Sequence, residues 1–270
     1  FREELELPII QQQDEDALHR IQKMIAPFIL RRLKKDVLKD LPEKLEKNMY
    51  AKMTGEQQDL YQAHIQRLQI LLSKQSPEEF DRSRIQILSE LTKLRQLCCD
   101  PALLYEKYTS GSAKLDLCLD LIRNAMESGH KMLVFSQFTT MLDRIAERLK
   151  KEHIPYFMLT GATTKQERIR LVTEFNQDET PVFLISLKAG GTGLNLTAAD
   201  IVIHFDPWWN TAVQNQATDR VHRIGQTNRV LVYKLIAQNS IEENIVKLQE
   251  QKAELAEQIL GGDNIGTPFF

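Results

Sequence analysis

The sequence predicts an α/β fold built on a parallel sheet with helices on both faces, and three observations carry that reading. From Ser112 onward, short runs of β-branched and aromatic residues alternate with amphipathic segments of helical period. Those runs lack polar alternation, as strands buried on both faces do. The unusual residues gather at the carboxyl ends of the runs, where open parallel sheets collect ligands.

Taken in order, residues 1–47 read as a connector. Residues 11–16 are wholly polar, Pro8, Pro27 and Pro42 punctuate, and the basic-hydrophobic run Phe28-Ile29-Leu30-Arg31-Arg32-Leu33-Lys34-Lys35-Asp36-Val37 lies between them. Residues 48–108 read as a helical insertion without a catalytic part. Thr54 and Gln57 have capping-box spacing, and Tyr61, Ile65, Leu68 and Leu72 mark one apolar face. A second helix from about Arg84 carries Ile87, Leu91, Leu94 and Cys98, and Pro101 prevents its continuation.

The α/β region spans 109–240. Ser112 caps a helix whose inner face holds Leu115, Leu119, Ile122 and Met126, with Gly129 ending it. The expected order is then strand 131–136, helix 140–151, strand 155–159, helix 164–177, strand 181–187, strand 200–205, helix 211–222 and strand 229–236. A last helix over 241–260 carries Ile245, Leu248, Leu255 and Ile259, and the tail 261–270 shows no pattern.

Composition narrows the function classes. The formal net charge is -2, so no global basic field advertises nucleic acid. Locally, 31–47 and 218–234 each carry three more basic than acidic residues. Cys98, Cys99 and Cys118 cannot make a disulfide framework and match no zinc spacing, which leads to the expectation of a reducing, intracellular compartment and no metal site. No run of 18 apolar residues exists, so no membrane insertion is expected. The chain begins at Phe1 without an initiator Met, and a fragment of a longer polypeptide is expected.

On the expected helix 211–222, Gln216, Arg220 and Arg223 lie at i, i+4 and i+7 with Asp219 alongside, placing two guanidiniums on one face. Guanidinium grips phosphate in a two-pronged fashion, so such a pair suits phosphate; Asp219 with Arg223 also has the spacing of an ordinary surface ion pair. Gly190, Gly191 and Gly193 let the backbone approach a ligand closely. The loop is neither GxGxxG nor GxxxxGK[ST], so the chain has no phosphate cradle of its own. Trp208 and Trp209 follow a strand, and neighbours there face opposite ways, so one ring is expected in the core and the other at a groove.

Together, Phe28 to Val37, Leu41-Pro42-Glu43-Lys44, Val134-Phe135-Ser136-Gln137, the glycine-rich loop, Asp206-Pro207-Trp208-Trp209-Asn210 and Gln216 to Gln226 occur in one order over most of residues 1–250. That order resembles the second motor lobe of the Swi/Snf-type chromatin-remodelling and DNA-repair ATPases of helicase superfamily two. The resemblance implies a RecA-like lobe at 109–240 with a helical protrusion at 48–108, a brace helix at 241–260, an interlobe connector at 1–47 and a disordered tail. It implies arginine fingers at Arg220 and Arg223, nucleotide-side positions at Gly191, Gly193, Gln216 and Asp219, and DNA-facing positions at Gln137, Lys188 and Trp209. The implied ligands are ATP with Mg, held mainly by a first lobe, and double-stranded DNA. A monomer is expected, inactive as an isolated lobe. Where the family usually has Pro, this chain has Thr211, a candidate cap for its helix. A non-enzymatic DNA-binding or protein-docking α/β module is the alternative.

Overall fold

The computed structural model describes residues 2–12, 14–28, 41–73, 77–189 and 193–260. The basic run at 29–37, Gly190, Gly191 and the tail 261–270 lie outside the described residues. The chain divides into two units, 1–40 with 247–270, and 41–246.

In the smaller unit the stretch read as a bare connector contains helices α1 (Leu7–Gln12) and α2 (Glu15–Ile25). Asp14 starts α2, its carboxylate accepting from the Asp16 and Ala17 backbone at 2.9 and 3.0 Å. Leu5, Ile9 and Ala17 form a small buried cluster there.

The larger unit is organised by six parallel strands: β1 (Lys44–Ala51), β2 (Met132–Ser136), β3 (Tyr156–Leu159), β4 (Val182–Ser186), β5 (Ile201–His204) and β6 (Val230–Ala237). Their order is β1-β6-β5-β2-β4-β3. In β2, β4 and β5 every residue is buried, which is why they read as continuous apolar runs. Alternation divides them between two cores. Met132, Val134, Leu184 and Ile203 pack with helices α5 (Ala113–Glu127) and α6 (Thr139–Lys151). Leu133, Phe135, Phe183 and Val202 pack with α7 (Lys165–Gln177) and α8 (Thr211–Thr218) on the opposite face.

Strand β1 crosses the boundary expected between connector and helical insertion, where no strand is expected. It pairs with β6 over eight residues, from Lys44 opposite Val230 to Ala51 opposite Ala237. Lys44 and Lys234 each place Nζ 2.6 Å from the Glu46 carboxylate. A polar edge strand of this kind discourages further pairing and carries no apolar signature.

Helices α3 (Gly55–Ser73) and α4 (Pro77–Cys99) pack through Tyr61, Leu68, Ile87, Leu94 and Cys98. The expected capping box is replaced by a tertiary bridge. Gln57 is buried, donating to the Leu97 carbonyl at 2.9 Å and accepting from the Ala113 backbone at 3.1 Å. Ser112 caps α5 as expected, accepting from Leu115 N. All three cysteines are free and buried, and burial pushes their thiols up, Cys118 to about 12. Helix α9 (Ile241–Leu260) closes the described chain, and no described helix is long and apolar enough to cross a membrane.

Candidate functional site

Because all six strands are parallel, Ser136-Gln137, Thr160-Gly161, Leu187-Lys188 and Asp206 to Trp209 leave the sheet at the same edge. Asp206 ties two of these exits together. Ser136 donates its hydroxyl to Asp206 Oδ1 at 2.5 Å, and the Gln137 backbone N–H lies 3.3 Å from the same oxygen. Burial pushes the Asp206 carboxyl up, while the Lys114 charge, the Ser136 hydroxyl and Arg95 pull it down.

Arg95, from α4, completes this corner. Its Nη1 donates to Gln137 Oε1 at 3.0 Å, its Nη2 donates to the Pro207 carbonyl at 2.7 Å, and Nη2 sits 3.8 Å from Asp206 Oδ2. The guanidinium carbon lies 5.4, 5.7 and 5.6 Å from the ring centroids of Trp208, Trp209 and Phe138. Sequence periodicity offers no sign of this, since Arg95 follows the apolar Leu94 on a helix read as passive.

The tryptophans divide as expected. Trp208 packs on the sheet core while Trp209 remains 38% exposed. Asn210, not Thr211, caps α8, its side chain accepting from Ala212 N at 3.0 Å. Asn210 has the short acceptor and extended backbone a cap requires, and Thr211 becomes the first helical residue.

The arginine segment departs most from expectation. Helix α8 ends at Thr218, so Gln216, Arg220 and Arg223 do not share a helical face, and the i, i+4 spacing of Asp219 and Arg223 loses its meaning. The chain turns through shorter bonds, Arg220 N to Ala217 O at 3.2 Å and Val221 N to Thr218 O at 3.0 Å. The Arg220 carbonyl, which a longer helix would need as an acceptor, instead receives Leu196 N at 3.1 Å. A tertiary hydrogen bond thus ends the helix and joins the arginine turn to the chain leaving the glycine-rich loop.

Further contacts hold the turn. His204 Nε2 and Thr218 Oγ1 are 3.0 Å apart, and His222 Nε2 lies 2.8 Å from the Pro42 carbonyl. Gln226, a motif residue given no role of its own by sequence, is buried and donates to the Ala199 carbonyl at 2.7 Å and the Thr197 carbonyl at 3.3 Å. Arg220 is 8% exposed and Arg223 is exposed. Burial and then the neighbouring Arg223 charge push the Arg220 guanidinium down, with Asp219 opposing.

Around the glycine-rich loop, Lys188 and Gly193 are exposed. Gly193 has φ +47° and no atom within 4 Å of where a Cβ would stand, so its role is conformational freedom. Arg168 donates to the Ala189 carbonyl at 3.2 Å and Asn176 to the Asn195 carbonyl at 2.8 Å, pinning the flanks. Lys165, Arg168, Gly193 and Asn195 line a cavity of about 570 Å³. Among the described residues no group of three His, Cys, Asp or Glu fits a metal ion.

The chain is similar in sequence and fold to known proteins. The SNF2-related domain matches residues 1–103 and the helicase conserved C-terminal domain residues 113–225. The putative ATP-dependent helicase/translocase YwqA of Bacillus subtilis is 40% identical over 98% of this chain and 29% of its own length. The chain spans about a quarter of the length of the curated relatives it matches. The Sulfolobus solfataricus SWI2/SNF2 ATPase core solved in complex with dsDNA is 35% identical, with TM-score 0.69 over 98% of this chain and 56% of that one. The C-terminal domain of the Sulfolobus solfataricus SWI2/SNF2 ATPase is 32% identical, with TM-score 0.64 over 84% of this chain and 91% of that one. At 32% identity over nearly the whole length of that domain, and with its RecA-like parallel sheet, the chain belongs to the SWI2/SNF2 ATPase family.

Proposed function

We propose that this chain is the C-terminal motor lobe of an ATP-dependent translocase on double-stranded DNA. The observation that carries the reading is the arginine turn, where buried Arg220 and exposed Arg223 lie three residues apart while the Arg220 carbonyl is bonded to Leu196 at the end of the glycine-rich loop. Phosphate bound by a partner lobe would meet both guanidiniums, and movement there would be felt in the glycine-rich loop. ATP supplies the transferable phosphate, and the arginines stabilise charge that develops on it. In this reading Mg accompanies ATP and is held mainly by the partner lobe.

Gly193, Gln216 and Asp219 are assigned to the nucleotide side, as is Gly191, which lies outside the described residues, while Gln137, Lys188 and Trp209 are assigned to the duplex side. The helices of 48–108 form a protrusion and α9 a brace. The motor works as a monomer in an intracellular compartment. A solved relative bound to dsDNA supports the choice of partner.

The test is DNA-stimulated ATP hydrolysis by a complete motor containing this chain, wild type against Arg223→Ala. Loss of the stimulated rate is expected. Near-normal turnover would remove the finger assignment and favour a non-enzymatic DNA-binding or docking module.

A further inference from the structure

Arg95 is a buried charge to which the proposed motor chemistry gives no role. A guanidinium only 4% exposed touches both strand exits that carry expected DNA contacts, β2 through Gln137 and β5 through Pro207 and the two tryptophans. It belongs to α4, in a region that sequence reads as an insertion. We propose that Arg95 is a positioning residue that holds the Gln137 amide in place and sets the partly exposed Trp209 ring for contact with duplex DNA, making that contact depend on α4. This rests on the motor reading above.

Three observations support it. First, Arg95 uses two separate nitrogens on two separate loops, which a planar fork does and a lysine ammonium cannot. Second, the Gln137 Oε1 is committed to Arg95, and Gln137 Nε2 has no hydrogen-bond partner among the described residues. That donor is itself buried, so the bond to Arg95 fixes the amide inside the corner, and Trp209 is the partly exposed member. Third, three rings surround one guanidinium, so Trp209 has a fixed cationic neighbour on its buried side while remaining partly exposed. Arg95 itself is too buried to meet DNA, so its effect passes through those side chains.

The sequence supplies the probe. Trp208 and Trp209 are the chain's two tryptophans, so intrinsic fluorescence reports on this corner alone. In the 270-residue chain, Arg95→Lys and Arg95→Met are compared with wild type for tryptophan emission, acrylamide quenching and affinity for a short blunt duplex over a salt series. Both variants are expected to show red-shifted, more quenchable emission. Both should bind the duplex about tenfold more weakly or worse, with an unchanged salt slope, since no phosphate-contacting cation is lost. If Arg95→Met fails to fold, Arg95→Lys, which keeps the charge, carries the test alone.

Wild-type emission and affinity in Arg95→Lys would overturn the positioning role, because charge alone would then suffice. A salt slope shallower by about one in Arg95→Met would also overturn it, by making Arg95 a direct phosphate contact. A wild-type chain without duplex affinity would overturn the DNA half of the proposal together with the motor reading. Wild-type duplex affinity with unchanged variants overturns this proposal and leaves the motor reading standing.

Discussion

Leu196 donates its backbone N–H to the Arg220 carbonyl over 3.1 Å, so the exit of the glycine-rich loop and the turn bearing the first arginine form one hydrogen-bonded unit. In a complete motor, Arg220→Ala or Arg223→Ala should lower DNA-stimulated turnover by about 10³ to 10⁵, equivalent to about 4 to 7 kcal/mol of transition-state stabilisation. Arg220→Lys should rescue little, because a point charge replaces a fork. Steady-state ATPase assays at saturating DNA check this.

The same unit depends on Gln226, whose amide reaches the Ala199 and Thr197 carbonyls from a buried position. Gln226→Ala should destabilise the chain by about 1 to 3 kcal/mol, since buried acceptors lose their donor. Urea unfolding of the chain measures the change. A shift in midpoint with no change in slope identifies lost stability.

Away from the arginine turn, Lys114 Nζ lies 2.7 and 2.9 Å from the two carboxylate oxygens of Glu242, with both side chains fully buried. Glu242 also accepts from Ala237 N at 2.8 Å, which ties the end of β6 to the start of α9. Removing one partner, as in Lys114→Met or Glu242→Leu, should cost about 3 to 5 kcal/mol by stranding a buried group. The double variant Lys114→Met with Glu242→Leu should recover much of that loss. An additive double variant, read by denaturation, would show that the pair is not coupled.

Acid stability carries the signature of His204. Its ring stacks on Phe135 at 5.6 Å, and burial, aided by the Lys234 and Lys44 charges and opposed by Glu46, pushes its pKa from the ordinary 6.5 down to about 3. The folded state therefore keeps His204 neutral where the unfolded chain takes a proton. Its contribution is complete above pH 6.5 and is lost as pH falls from 6.5 toward 3, at up to about 1.4 kcal/mol per pH unit. His204→Gln should flatten that part of the stability profile.

Glu46 adds a separate, more acidic window. Burial tends to raise its carboxyl, but the hydrogen bonds and charges of Lys234 and Lys44 prevail and hold it at about 2 against an ordinary 4.5. Its contribution is present above 4.5 and lost as pH falls from 4.5 to 2. In Glu46→Gln the loss between pH 6.5 and 4.5 should persist, and the additional fall below 4.5 should shrink. Melting temperatures across pH 3 to 7 separate the two windows.

Much of the fold was legible because burial leaves a periodic trace. Met132–Ser136, Val182–Ser186 and Ile201–His204 are buried on both faces, and no solvent-facing strand of a parallel sheet could carry such runs. Ser112 and Pro101 mark helix boundaries through local stereochemistry, and both act where expected. Strand β1 was not legible, since Lys44, Glu46, Lys47 and Asn48 mimic a connector. Only the neighbouring β6 makes that stretch a strand.

The sequence by itself determined the order of elements from Ser112 onward, the parallel sheet and the edge at which the distinctive residues collect, through local periodicity and side-chain chemistry at fixed spacing; the family came from the resemblance of its motifs. The tertiary structure decided where α8 stops, what Gln57 bonds to, and that Arg95 lies beneath Gln137 and Trp209. Each of those outcomes is set by a hydrogen bond or ring contact between residues more than 20 positions apart. No local period encodes such a contact, because it exists only after the sheet has brought its strand ends together.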